Sequence, residues 1–170
     1  MSGSAPITAG AGAGAGSASW HIRHATTGDV AAAAAAVGEL LRELGSMPPP
    51  LPAMETAARE LLEDPRLGAL LLVEGDGAIV GVLAASWQSA MHVPGRYALI
   101  QDLWVHRSWR SVGVGAGLLA ALCELAREQG LARVEVGLPG ERFSGLAATE
   151  AFYLANGFTP LGVRMRWGIA

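Results

Sequence analysis

The stretch LIQDLWVHRSWRSVGVGAGLL, residues 99–119, decides the fold. Its first part is apolar and predicts a strand over Tyr97–Val105. Its last part begins an apolar pattern of helical period, which predicts a long helix that ends near Gln129. Between the two lies an Arg-x-x-Gly-x-Gly pattern that runs from Arg110 to Gly115. A strand, a glycine-containing loop and a helix are therefore predicted to follow one another directly.

Further elements are predicted on both sides of this stretch. The upstream patterns predict a strand over Trp20–His24, helices over Asp29–Leu44 and Ala53–Glu63, and strands over Ala69–Val73 and Ile79–Trp87 that are joined by a hairpin turn at Glu74–Gly77. The downstream patterns predict a strand over Arg133–Val136, a helix over Thr149–Ala155 and a last strand over Val163–Ile169. This order predicts an α+β fold, with a mixed, mostly antiparallel twisted sheet and helices on both faces.

Composition limits the classes of protein that this chain can belong to. Its 170 residues fit one domain, expected over 20–170, after a flexible Gly/Ala/Ser-rich tail over 1–19. A net charge of −3 without a basic cluster gives no support for nucleic-acid binding. No uncharged apolar run reaches the ~20 residues that span a bilayer. Cys123 is the only cysteine, so no intrachain disulfide can form. We expect a cytoplasmic protein without a metal site.

The glycine pattern has a direct physical interpretation. The first turn of a helix presents unpaired N–H groups and the positive end of the helix dipole, and glycine lets the backbone approach a ligand closely. Such a loop can hold a pyrophosphate group, to which Arg110 adds a charged donor. An ordinary turn explains the pattern equally well, because looser matches begin at Arg127 and Arg142. A dinucleotide-binding fingerprint is disfavoured because Leu118 stands where a small residue is needed.

Two separated segments resemble the GNAT superfamily of N-acetyltransferases. DLWVHRSWRSVGVG, from Asp102 to Gly115, is similar to that family's central strand and acyl-CoA loop, and AFYLANGF, from Ala151 to Phe158, is similar to its Phe-Tyr-x-x-x-Gly-Phe signature. The opening of the domain, from Ile22 to Asp29, also resembles the family's typical start. The resemblance implies an enzyme that transfers an acetyl group from acetyl-CoA to a primary amine, by direct attack within a ternary complex.

The resemblance also implies which residues bind acetyl-CoA. The backbone of the central strand would pair with the pantetheine arm where the fourth and fifth strands separate, and the N–H groups of the loop would hold the pyrophosphate. The residues implied are Leu103, Trp104, Val105, Arg110, Ser111, Val112, Gly113, Val114, Gly115 and Ala116.

Two residues are candidates for catalysis. The resemblance implies that Tyr153 protonates the leaving thiolate of CoA; the alternative is that its side chain fills the core with its hydroxyl paired. Asp102 is a candidate general base, because Gln101 stands where many relatives carry Glu and an amide cannot accept the proton. Strand alternation turns Asp102 to the opposite face from Gln101 unless a β-bulge re-aims it. Glu135, His106 and a water-relayed base stay open as alternatives.

Other questions stay open at the level of the sequence. The aromatic and sulfur-containing side chains Trp87, Met91, Trp104 and Trp109 either line an apolar amine pocket or belong to the core. The acceptor amine depends on loops near Met47–Pro52 and Gln88–Arg96. A homodimer is one option, since relatives often dimerise. The alternative to an enzyme is a catalytically silent acyl-CoA-binding sensor or interaction module.

Overall fold

A computed structural model describes residues 19–162, which form two compact units, one up to Val136 and one from Gly137. In the first unit the elements are β1 Trp20–His24, α1 Val30–Glu43, α2 Leu51–Glu63, β2 Gly68–Gly75, β3 Ala78–Ser89, β4 Arg96–Val105, α3 Val114–Glu128 and β5 Val134–Val136. The second unit contains α4 Leu146–Ala155. The predicted strand over Val163–Ile169 lies outside the described residues, and so does the predicted tail apart from Ser19. The proposed single domain over 20–170 stays a prediction.

The strands of the first unit form a five-stranded sheet in the order β1-β2-β3-β4-β5. The pairs from β1 to β4 are antiparallel, and β5 runs parallel to β4. This mixed, mostly antiparallel sheet confirms the predicted α+β class. The β2–β3 connection is the predicted Asp-Gly turn, in which Asp76 (φ 51°) and Gly77 (φ 75°) both have positive φ, as a tight hairpin turn requires.

Helices cover both faces of the sheet, as predicted. Leu70 and Leu72 of β2 pack into one core cluster with Ala33 and Ala36 of α1, and side chains of α2 pack against the same cluster. Leu118 of α3 lies on the opposite face, where a Cβ on Gly81 would come within 3.3 Å of its Cδ1 atom. Successive residues of β2 are therefore buried on alternate sides, which explains its uninterrupted apolar sequence.

Two helices begin earlier than predicted, for local reasons. α2 begins at Leu51 rather than Ala53, because Pro52 occupies the first turn, where its missing N–H costs nothing. α4 begins at Leu146 rather than Thr149. The Thr149 hydroxyl donates to the carbonyl of Gly145 at 3.0 Å, so this side chain lies within the helix instead of capping it.

Candidate functional site

The loop between β4 and α3 is anchored to the sheet at its start. The N–H of His106 donates to the carbonyl of Val80 at 2.9 Å. Trp109, which ends a short 3₁₀ turn, is buried against the end of β2, where a Cβ on Gly75 would lie 2.7 Å from its ring. This close approach requires glycine at position 75 and fixes the path of the loop before it reaches the glycine pattern.

The backbone of the glycine pattern forms a cradle of free N–H groups. Ser111 (φ 63°) and Gly113 (φ 91°) have positive φ, whereas Val112 between them does not. Alternation of this kind directs successive N–H groups into one concavity, which is an anion-binding nest. Within residues 19–162, no protein acceptor pairs with the N–H groups from Ser111 to Ala116, and the first bond of α3 runs from Gly117 N to the carbonyl of Gly113 at 2.9 Å.

The electrostatics of α3 favour an anion at the same place. α3 begins at Val114, directly after Gly113 as its N-cap, and the positive end of its dipole coincides with the cradle. Gly117 permits this arrangement, because a Cβ there would lie 2.8 Å from the ring of Trp20 in β1. The cradle therefore fits a phosphate or pyrophosphate group through its backbone alone.

The guanidinium of Arg110 forms hydrogen bonds with other residues of the protein, outside the cradle. One terminal nitrogen donates to both carboxylate oxygens of Glu43, at 2.8 and 2.6 Å, and Nε donates to the carbonyl of Val105 at 2.8 Å. A direct contact between Arg110 and a phosphate stays a prediction. Glu43 was missed by sequence reasoning, although an acidic residue at the last position of a helix, against the helix dipole, is a signal that could have found it.

The edge of β4 opens beside the cradle. β5 pairs with β4 only over Ala98–Ile100, where Ile100 lies opposite Val136. Beyond that point, no strand among the described residues pairs with this side of β4. The implied pantetheine-binding residues Leu103, Trp104 and Val105 lie in this open part, between the end of the β5 pairing and the loop. The opening occurs where the resemblance implies that the fourth and fifth strands separate.

A β-bulge in β4 decides where Asp102 points. Ala84 lies opposite Asp102, whereas Ala85 lies opposite Ile100, so Gln101 is an extra residue without a partner. Because Ala84 belongs to the core cluster beneath α1, Asp102 faces the same side of the sheet. Gln101 faces that side as well, since its amide nitrogen donates to Ser86 Oγ at 2.8 Å. The bulge therefore brings both side chains to one face of the sheet. This arrangement is the exception to strand alternation that the sequence allowed.

The carboxylate of Asp102 is half-buried and has no hydrogen-bond or ion-pair partner within residues 19–162. Burial raises its pKa above the ordinary value for aspartate. The other candidates for the base are engaged elsewhere. Glu135 is buried and paired with Arg133, whose Nε lies 2.7 Å from Oε1, and His106 Nδ1 lies 2.7 Å from Ser108 Oγ.

Tyr153 belongs to the second unit. Its side chain is buried, at 8% exposure, and its ring lies 5.2 Å from the rings of Phe152 and Phe158, measured between centroids. Burial raises the pKa of Tyr153 to about 12. The phenol therefore keeps its proton at neutral pH and is available as a donor.

The aromatic residues do not form one pocket. Trp104 belongs to the core cluster, and Trp109 is buried against the end of β2. Trp87 lies near the other end of the sheet, where its indole N–H donates to the carbonyl of Pro65 at 3.1 Å. Met91 is fully exposed. Trp104 and Trp109 are therefore core residues, and they do not line an apolar amine pocket.

An open groove of about 500 Å³ lies against α1 and the segment 47–54. Ala34 and Gly38 of α1 line it, whereas Ala33 and Ala36 of the same helix face the sheet. α1 therefore separates this groove from the sheet face that carries the bulge.

Comparison with known proteins tests the family and the fold of this chain. The family model described as the Acetyltransferase (GNAT) family matches residues 35–158. No curated protein matches the chain significantly. Among solved structures, an integron cassette protein from the mobile metagenome of Cole Harbour Salt Marsh is 26% identical, with a TM-score of 0.72 over 88% of this chain and 89% of that one.

Two further solved structures share the fold. A predicted acetyltransferase with acetyl-CoA from Clostridium acetobutylicum has a TM-score of 0.73 at 15% identity, over 88% of this chain and 96% of that one. An aminoglycoside acetyltransferase from an uncultured soil metagenomic sample has a TM-score of 0.72 at 20% identity, over 89% and 99%. The five-stranded mixed sheet and the helices that cover it thus match the fold of these acetyltransferases. This chain belongs to the GNAT family of acetyltransferases.

None of the helices in the described part of the chain is long and apolar enough to cross a membrane. No group of three or more His, Cys, Asp or Glu side chains within residues 19–162 is arranged to hold a metal ion.

Proposed function

We propose that this chain transfers an acetyl group from acetyl-CoA to a primary amine of an acceptor. The observation that carries the proposal is the run of unpaired N–H groups from Ser111 to Ala116, next to the open edge of β4. A nest at a helix N-terminus suits the pyrophosphate of CoA. An edge of β4 that no described strand pairs with suits the amide groups of the pantetheine arm, because both are extended and pair by backbone hydrogen bonds.

The binding step uses this chain's backbone more than its side chains. The loop residues Arg110, Ser111, Val112 and Gly113 and the first turn of α3, from Val114 to Ala116, hold the pyrophosphate. Leu103, Trp104 and Val105 pair with the pantetheine arm. Acetyl-CoA, the co-substrate, supplies a thioester that is reactive towards amines. An N–H group of Leu103–Val105 stabilises the negative charge that develops on the thioester oxygen.

The side chains move protons at both ends of the reaction. Asp102 accepts a proton from the incoming ammonium, directly or through water, so that a neutral amine attacks. The raised pKa of Asp102 improves this carboxylate as a base, because a base works best when its pKa lies closer to the operating pH. Tyr153 donates a proton to the leaving thiolate. The phenol is protonated at neutral pH even at its ordinary pKa, and burial raises that pKa further, so the proton is transferred only after the thiolate has formed.

The first experiment is a thermal shift with acetyl-CoA, CoA and NAD in parallel. A ligand at 100 times its Kd adds about 2.7 kcal/mol of stability, which raises the Tm of a domain of this size by several degrees. We expect a shift with both CoA compounds and none with NAD. No shift with either CoA compound would remove the basis of the proposal.

Turnover separates the enzyme from a second candidate, a silent acyl-CoA sensor. The neutral Gln101 in the bulge favours that alternative, because its amide is bonded to Ser86 and cannot act as a base. Release of CoA thiol is measured against a panel of polyamines, amino sugars, aminoglycosides and peptides, with an amine-free reaction as control. Amine-dependent release supports the transferase, whereas tight binding without release on any amine supports the sensor. The cytoplasmic location and the homodimer remain predictions.

A further inference from the structure

Arg110, within the loop between β4 and α3, is bonded to the last residue of α1 in a small cluster of contacts that neither the motif nor the resemblance predicts. Glu43 accepts from Arg110 with both carboxylate oxygens and from the indole N–H of Trp104 at 3.2 Å. Arg110 also donates to the carbonyl of Val105. We call these four residues the Glu43 clasp. It joins the last residue of α1, the last residue of β4 and the residue directly before the cradle.

Fold stability alone does not explain the clasp. The Glu43 carboxylate lies at the C-terminal end of α1, where the helix dipole disfavours a negative charge. The side chains of Arg110 and Glu43 are 45% and 33% exposed, so their pairing contributes little to stability. The two residues are 67 positions apart, so the contact is also not a by-product of local helix geometry. Glu43 also gives the indole N–H of the buried Trp104 an acceptor, but that bond does not require the contact with Arg110, which favours a local role of the pair at the loop.

The backbone next to the clasp is strained. Ser111 follows Arg110 directly and has φ 63°, a left-handed conformation that is strained for a non-glycine residue. Such a conformation persists only where the surroundings hold it. Arg110 is held at two points, by Glu43 and by Val105, immediately before the strained residue. The N–H of Ser111 is also the first of the unpaired groups in the cradle.

We propose that Glu43 is a positioning residue for acetyl-CoA binding, which acts through Arg110 to hold Ser111 and the cradle in their anion-binding conformation. This inference rests on the proposed function of the same loop. In this inference Arg110 does more than supply a positive charge. Nε and one terminal nitrogen of its guanidinium are bonded within the clasp, so Arg110 also fixes the backbone at Ser111. The backbone, held in place by the clasp, then supplies the contacts to the pyrophosphate.

The test compares the Kd for acetyl-CoA, measured by titration calorimetry, in the wild-type chain and in Glu43→Gln. Glutamine keeps the size of the side chain and removes the charge that holds Arg110. We expect a Kd at least fivefold higher, with kcat at saturating acetyl-CoA within twofold of wild type. Glu124→Gln is the matched control, because Glu124 forms a similar exposed pair with Arg127 on α3. Its Kd is expected to equal the wild-type value.

A second variant distinguishes positioning from general damage. Glycine adopts positive φ without cost, so Ser111→Gly removes the strain that the clasp holds. In the double variant Glu43→Gln/Ser111→Gly, we expect the Kd to return to within twofold of that of Ser111→Gly alone. A merely structural defect caused by Glu43→Gln would not be rescued at position 111.

The other outcomes overturn the inference. An unchanged Kd for Glu43→Gln shows that the clasp is not needed, and a lower Kd shows that Glu43 withholds Arg110 from the phosphate. An absence of rescue by Ser111→Gly refutes the role of strain. If Glu43→Gln does not fold, Arg110→Lys replaces it: lysine keeps the charge but cannot make both bonds, so a wild-type Kd in that variant overturns the inference. Failure of the wild-type chain to bind acetyl-CoA instead overturns the proposed function itself.

Discussion

Gly113 offers the most direct test of the cradle, through the change Gly113→Ala. A Cβ at this position would meet nothing closer than Trp20 Cζ2 at 3.9 Å, so the substitution causes no clash. Its effect comes from the backbone, because φ is 91°, where an L-residue is strained by about 1–2 kcal/mol. The loop relaxes to relieve this strain, and acetyl-CoA must restore the strained conformation when it binds. The Kd should therefore rise about 5- to 30-fold.

The control is Gly130→Ala. Gly130 also has positive φ, at 64°, and a Cβ there would have no neighbour within 4 Å. It lies beyond the C-terminal end of α3, roughly 22 Å from the cradle at 1.5 Å per residue for a helix of 15 residues. Titration calorimetry gives the Kd, and thermal unfolding gives the stability of each variant. A similar loss of Tm in both variants with a wild-type Kd for Gly113→Ala would refute the cradle as the binding site.

Three further predictions concern catalysis and stability. Tyr153→Phe should lower kcat at least tenfold and leave the Kd for acetyl-CoA within twofold; an unchanged kcat, from thiol release, removes Tyr153 as the acid. Asp102→Asn should lower kcat/KM at least tenfold and abolish its fall at acidic pH, since the carboxylate must be ionised to accept a proton and its raised pKa moves that fall upward; a wild-type pH profile excludes Asp102 as the base. Asp29→Asn should cost about 2 kcal/mol at pH 7, because Arg23 holds the pKa of Asp29 below its ordinary value of 3.8. This stabilisation is present in full above that pH and is lost progressively as pH falls from 3.8 towards the lowered pKa. The difference between the two proteins in urea unfolding should therefore be smaller at pH 2 than at pH 7, and a difference that does not shrink in acid would refute the ion pair as its source.

The elements with a strong local signal could be predicted from the sequence. The Asp76-Gly77 turn fixes the β2–β3 hairpin because both residues tolerate positive φ. α3 follows from the helical spacing of its leucines, and its buried residues include Leu118 and Leu122. The cradle was also predictable in outline, since a strand, two glycines and a helix determine its backbone.

The features that depend on distant partners could not be predicted. The bulge at Gln101 results from the register of β4 against β3, which no local pattern reveals. The pairing of Arg110 with Glu43 joins residues 67 positions apart. The motif shows that Arg110 precedes the glycines, but it does not show that Glu43 lies opposite Arg110 in the fold. The sequence therefore predicts a contact of Arg110 with the ligand alone.

The bulge also changes the significance of Gln101 for catalysis. In a regular strand, successive side chains point to opposite faces, and a carboxylate at position 102 would not replace one at position 101. In this β4 both side chains reach the face beneath α1, since Asp102 lies opposite Ala84 and Gln101 bonds to Ser86. A carboxylate is therefore available on that face although position 101 carries an amide. The neutral residue at position 101 argues only against a base at that position. We expect the half-buried carboxylate of Asp102, which has no partner within residues 19–162, to supply a chemically equivalent group one residue further along the strand.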